Sequence, residues 1–134
     1  SIKSHYVKNE NLRFKNKLDL AYQIKNSKEE IERLLIPITI EDLRMNIGIP
    51  IFIDWKHVPL KYDEVIHWNK RIKLANNFYN SQVFTNKRNA LIKIIEIENI
   101  SHILIEQEFV NFDCENFIDD KKYYLFRVSD CFIN

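Results

Sequence analysis

Gly48-Ile49-Pro50-Ile51-Phe52-Ile53-Asp54-Trp55-Lys56-His57-Val58-Pro59 is the stretch on which the reading of the fold turns. Its apolar part is short enough for a buried strand, read here as Pro50 to Trp55. The run then ends abruptly in an acid, an aromatic, a base and an imidazole. A core strand has no use for those polar groups, which belong inside only when paired. They therefore serve either a site or a corner of the fold.

Working outward, residues 13–25 read as a helix, with Phe14, Leu18, Ala21, Tyr22 and Ile24 or Lys25 near helical spacing. Asn26-Ser27 breaks it, and Lys28 to Arg33 offers one further turn. Leu34 to Ile38 reads as a short buried strand, with Pro37 at or beyond its end because proline cannot serve a central ladder. Thr39 is a good N-cap with Asp42 three residues on. The short helix this predicts runs through Asn46, and Gly48 supplies its left-handed C-terminal residue.

Downstream, Lys56 to Tyr62 is a polar loop. Asp63 caps a helix expected to reach about Asn80, with the apolar stripe Val65, Trp68, Ile72, Ala75 and Tyr79. Thr85 or Asn86 opens another helix carrying Leu91, Ile94 and Ile95. His102 to Glu106 reads as a third strand. Asp113 caps a turn of helix through Ile118, and Lys122 to Val128 reads as a fourth strand.

Strands alternating with helices imply parallel pairing and right-handed crossovers. Short apolar strands without alternation fit a sheet covered on both faces. The expected fold is a single α/β domain over 1–134: three layers around a mostly parallel sheet of about four strands, Rossmann-like without a glycine-rich loop. Gly48 is the only glycine, and phosphate-cradling loops need several.

The chain's 134 residues suit one domain. A net charge of +1 gives no long-range field to draw nucleic acid or an anionic membrane, so no nucleic-acid partner is expected, though a local patch remains open. No transmembrane span or signal peptide is read. The chain opens on Ser1-Ile2-Lys3-Ser4 without an initiating Met, as expected of a domain excised from a longer protein and equally of a processed chain. Cys114 and Cys131 can pair outside the cytoplasm. They are read first as ordinary small core residues, since free cysteine is commonly buried. Two cysteines with scattered histidines assemble no zinc site.

Ligands of open parallel sheets sit beyond the carboxyl ends of the strands. The first strand leads into Thr39, Asp42 and Arg44, and the second into Asp54, Lys56 and His57. Arg44 and Lys56 are two cations suited to a phosphate or carboxylate. An internal ion pair of either with Asp54 is the structural alternative. A second chemistry also fits. Asp54-Trp55-Lys56 resembles the acid-x-Lys of the restriction-endonuclease-like superfamily, with Asp42 (or Glu41) as the upstream acid. Two carboxylates would hold Mg²⁺ or Mn²⁺ while the lysine steadies the attacking water. The usual upstream Pro-Asp is missing, and Asp42 falls on a predicted helix. Elsewhere, Glu64 and His67 lie one turn apart on what reads as a solvated helix face. Lys70-Arg71, Lys73 and Lys87-Arg88 offer a basic patch.

Several segments together resemble a family: Leu34-Leu35-Ile36-Pro37, Asp42-Leu43-Arg44, Pro50 to Lys56, Pro59, Asp63-Glu64-Val65, Trp68, Arg71-Ile72 and the closing Ser101-His102-Ile103-Leu104-Ile105. The chain resembles the soluble C-terminal α/β domain of bacterial polytopic membrane proteins of unknown function, themselves similar to the C-superfamily (GT-C-like) glycosyltransferases. The resemblance runs over roughly residues 18 to 128. It implies a non-catalytic accessory domain on the extracytoplasmic side of the cell membrane, continuous with an upstream membrane region. Its implied ligand is a lipid-phosphate-linked sugar, met at the sheet edge by Arg44, Asp54, Lys56 and His57. It implies no cofactor, and Mg belongs to the nuclease alternative alone.

Overall fold

The computed structural model describes residues 19–37, 40, 48–53 and 59–132. A helix, α1, occupies 19–26. Strand β1 is Leu34–Leu35, α2 is Tyr62–Asn80, α3 is Phe84–Ile97, β2 is His102–Glu106 and β3 is Tyr123–Arg127. A last short helix, α4, is Val128–Cys131, and a 3-10 turn at Gln107–Phe109 follows β2.

The sheet is small and mixed, in the order β1-β2-β3. β1 runs parallel to β2 with Leu34 opposite His102, and β2 runs antiparallel to β3 with Leu104 opposite Leu125. Ile51 adds an isolated parallel bridge to the free side of Leu34. Leu34 N–H donates to the Pro50 carbonyl at 2.9 Å, and Phe52 N–H donates to the Leu34 carbonyl at 3.0 Å.

This corrects the expected fold class. Among the described residues, no three-layer, mostly parallel sheet of about four strands is formed. The expected first strand shrinks to two residues and the second, among described residues, to the bridge at Ile51. The last pairing is antiparallel because its connection holds no crossover helix. Residues 113–118 form no helix. The Asn116 carboxamide explains why. Its Oδ1 accepts from Ile118 N–H (3.2 Å) and Leu125 N–H (2.9 Å), and its Nδ2 donates to the Ile118 carbonyl (2.7 Å). Phe117 N–H also donates to Leu125, so the segment lies along the outer edge of β3. A parallel pair needs a long crossover, whereas an antiparallel pair does not.

Side chains alternate across the strands and fill two clusters. Leu35, Ile103, Ile105 and Phe126 join Phe52, Ile53, Ala75, Phe78, Leu91, Ile94 and Phe132 on the face carrying α2 and α3. Leu34, Leu104, Tyr123 and Leu125 join Leu20, Ala21, Ile24, Ile51 and Ile118 on the face carrying α1. Full burial of one such side chain is worth about 1.5–3 kcal/mol.

Both helices form over the expected spans, but of the stripe expected on α2 only Ala75 is fully buried, while Val65, Trp68, Ile72 and Tyr79 are half-buried and Phe78, outside that stripe, is fully inward. Leu91 and Ile94 of α3 are buried as expected. Lys87 departs from the expected basic patch. It is buried, its Nζ donates to the Phe78 carbonyl at 2.7 Å, and it sits 4.9 Å from the Phe78 ring centroid. It thus closes the C-terminal end of α2 from α3, satisfying carbonyls that the helix leaves unpaired. Burial pulls its ammonium down to a pKa of about 8.

α1 stops where Asn26-Ser27 was expected to stop it, and residues 28–33 add no helical turn. Gly48 has φ +65°, the left-handed conformation expected of it, while the helix expected before it lies outside the described residues. A side chain there would meet nothing within 4 Å, so the backbone angle rather than crowding suits glycine. Cys114 and Cys131 are joined as a disulfide, which corrects their reading as free core residues.

Candidate functional site

Asp42, Arg44, Asp54, Lys56 and His57 all lie outside the described residues. The same holds for Thr39 and Glu41. What is described is their approach. The Leu34–Ile51 bridge sets two parallel backbone segments side by side, one leading to residue 38 and the other to residue 54. Two arginines hold the second segment. Arg33 NH1 donates to the Ile51 carbonyl (3.2 Å), and Arg71 NH1 donates to the Phe52 carbonyl (3.1 Å). Both arginines converge on Glu98. Arg71 NH2 lies 2.8 Å from Oε1 and Arg33 Nε 3.1 Å from Oε2, the latter in ion-pair reach but off the hydrogen-bond line. The Arg71 hydrogen bond, reinforced by both positive charges, holds the Glu98 carboxyl below its ordinary range against the opposing effect of burial. Arg71 also lies 5.0 Å from the Phe52 ring centroid. Arg71 was expected in an exposed basic patch. It is instead one arm of this clamp.

A second constellation lies beside this clamp at the start of β2, on the floor of an open groove of about 800 Å³ between Lys28–Glu32, the end of α3 and residues 127–129. Local structure aims its central acid. Lys28, the one described non-glycine residue with a left-handed backbone (φ 60°), ends α1, and Glu29 N–H then donates to Ser27 Oγ. Glu29 and His102 are nearly sealed, with side chains 8% and 6% exposed. His102 Nε2 lies 3.0 Å from Glu29 Oε1, and Nδ1 lies 2.8 Å from Ser101 Oγ. Arg127 grips Glu29 with two parallel hydrogen bonds, NH2 to Oε2 at 2.7 Å and Nε to Oε1. The other face of the guanidinium covers Phe117 at 4.2 Å. Chiefly through the Arg127 hydrogen bond, the Glu29 carboxyl is pulled down to a pKa of about 2.

Serine, imidazole and carboxylate in a row are the parts of an acyl-transfer triad. The surroundings of Ser101 Oγ argue against that chemistry. The oxygen accepts from Glu32 N–H (2.9 Å) and Arg33 N–H (3.3 Å), and also reaches the Arg33 carbonyl (3.2 Å). Both lone pairs are occupied, so none is left to attack a carbonyl. The two backbone N–H groups that would serve an oxyanion hole are spent on the nucleophile itself. The cluster ties the 28–33 turn to the start of β2 and the end of β3.

Sequence reasoning missed Glu29, Ser101 and Arg127 as a group, since Glu29 and Arg127 are 98 residues apart. One signal was present: a histidine opening the otherwise apolar run His102-Ile103-Leu104-Ile105, where a buried imidazole needs partners. Glu64 and His67 sit on an exposed helix face, as expected. Among the described residues no three His, Cys, Asp or Glu side chains gather as a metal site.

A family model described as a domain of unknown function (DUF6798) matches residues 15–75. That span takes in the Pro50–Lys56 block and the clamp residues Arg33 and Arg71, but stops short of Glu98, β2 and β3. No curated protein and no solved structure matches the chain.

Proposed function

We propose that this is a non-catalytic accessory domain of a membrane glycosyltransferase-like protein, held on the extracytoplasmic side of the membrane. It meets a phosphate-bearing substrate, a lipid-phosphate-linked sugar, through Arg44, Asp54, Lys56 and His57. The observation that carries this reading is the Cys114–Cys131 disulfide, because disulfides persist in oxidising compartments and are rare in the cytoplasm. The spent hydroxyl of Ser101 supports a structural rather than catalytic cluster. The Arg33–Glu98–Arg71 clamp supports a held backbone leading into residues 54–57. No described helix is long and apolar enough to cross a membrane; the proposal includes an upstream membrane region that anchors the domain.

The test is fractionation of the producing cells with an antibody to this domain. The expected signal is in the membrane fraction, well above the 16.3 kDa of the chain itself, and is removed by protease added outside the cytoplasmic membrane. A soluble cytoplasmic band overturns the reading. So does nucleic-acid cleavage by the purified chain in Mg²⁺ or Mn²⁺ that Lys56→Ala abolishes, which would favour the nuclease chemistry instead.

A further inference from the structure

Leu60, Tyr62 and Ile66 stand in solvent at the start of α2, Leu60 entirely, Tyr62 at 78% and Ile66 at 50%. An α-helix turns about 100° per residue, so Tyr62, Ile66 and Lys73 project within about 40° of one another, flanked by Asn69 and Lys70. The core-facing Ala75 and Phe78 project roughly opposite, about 170° away. The outward stripe is therefore apolar in its first turns and cationic in its later ones. Lys61, Lys70 and Lys73 are all exposed. The acids of the first turn, Asp63 and Glu64, are rotated off the stripe's centre by about 80° and 180°, Asp63 falling on the margin that Lys70 also occupies. A net charge of +1 for the whole chain conceals this stripe, whose one neighbouring acid is Asp63 at its margin.

We propose that this stripe rests on an anionic bilayer surface. Leu60, Tyr62 and Ile66 sit at the boundary between headgroups and acyl chains, and Lys61, Lys70 and Lys73 lie against acidic headgroups. Single exposed apolar residues are ordinary. Three at one helix end, continuing along the same stripe into Lys73 with Lys70 at its margin, suit a helix lying in a membrane interface. Tyrosine suits that depth because its ring is apolar and its hydroxyl is wet. Nucleic acid would use the lysines but leave the apolar end without a partner. The inference rests on the membrane-side reading above, because a domain already tethered at a bilayer needs only a weak contact of this kind.

The experiment is co-sedimentation of the 134-residue chain with two kinds of vesicle at low salt, phosphatidylcholine alone and phosphatidylcholine mixed with phosphatidylglycerol. The chain is expected to pellet only with the anionic vesicles. Ile66→Asp should abolish this. Lys70→Gln and Lys73→Gln should each weaken it about fivefold, the worth of one lysine near an anionic surface. The Tm of each variant should stay that of the parent, since all three side chains are exposed. No pelleting, equal pelleting with both vesicles, or pelleting that the variants leave intact overturns the proposal. Protease-accessible membrane protein in cells together with no vesicle binding would remove the lipid contact and leave the location standing. A cytoplasmic band would remove the location, while the vesicle result still decides the surface.

Discussion

Glu29 holds a guanidinium and an imidazole at once, and its ionisation couples the groove to stability. Its folded pKa of about 2 lies below the ordinary value of 4.5. Below 4.5 the unfolded chain binds the extra proton first. The stabilisation is therefore complete above about pH 4.5 and is lost as pH falls through about 2. Glu29→Gln keeps the shape and removes the charge from a sealed site. It should cost about 1–3 kcal/mol at pH 7, the range for losing a hydrogen-bonded charged group. Urea denaturation of parent and variant should show that gap closing as pH falls from 4.5 towards 2. A gap independent of pH would mean that shape, not charge, carries the contact. None of this was legible from residue 29 alone. A glutamate in Lys28-Glu29-Glu30 looks like any solvated acid, and only the distant Arg127 and His102 distinguish it.

Among the elements, α2 and α3 were legible from helical spacing and β2 from its unbroken apolar run, which spans the residues that run predicts. The segment from Asp113 to Ile118 was misread because its helix signal was a lone cap. Asn116 offered the backbone a different set of hydrogen bonds, and that competition decides short segments. The same region carries the disulfide to α4, closing a separation of 17 residues around β3. Replacing both cysteines by serine should cost about 2–4 kcal/mol, chiefly by freeing the unfolded chain. Urea melts of the variant, and of the parent with and without reductant, should give the same loss. Equal midpoints for oxidised and reduced parent would show that the link contributes nothing to the fold.

For the molecule as a whole, the sheet is one object with two faces. Neighbouring residues such as Leu34 and Leu35, or Ile103 and Leu104, belong to opposite core clusters, so neither cluster can melt while the other keeps its strands. Far-UV circular dichroism and tryptophan fluorescence should therefore report one coincident urea transition. Separated midpoints would mean that the α1 face and the α2–α3 face are independent units. The mixed sheet escaped the sequence reading for a global reason. Strand direction depends on what fills each connection, and a chain read locally cannot weigh a crossover helix that fails to form.

Leu34 meets its main partner, His102, 68 residues later in the chain. A ribosome adding about 5–20 residues per second needs roughly 3–14 s to make that stretch. β1 is thus paired with β2 late, and the edge that β2 will cover stays open through that interval. A nascent or truncated chain that stops before β2 offers Leu34-Leu35-Ile36 to whatever strand arrives first, which makes copies of itself the chief hazard.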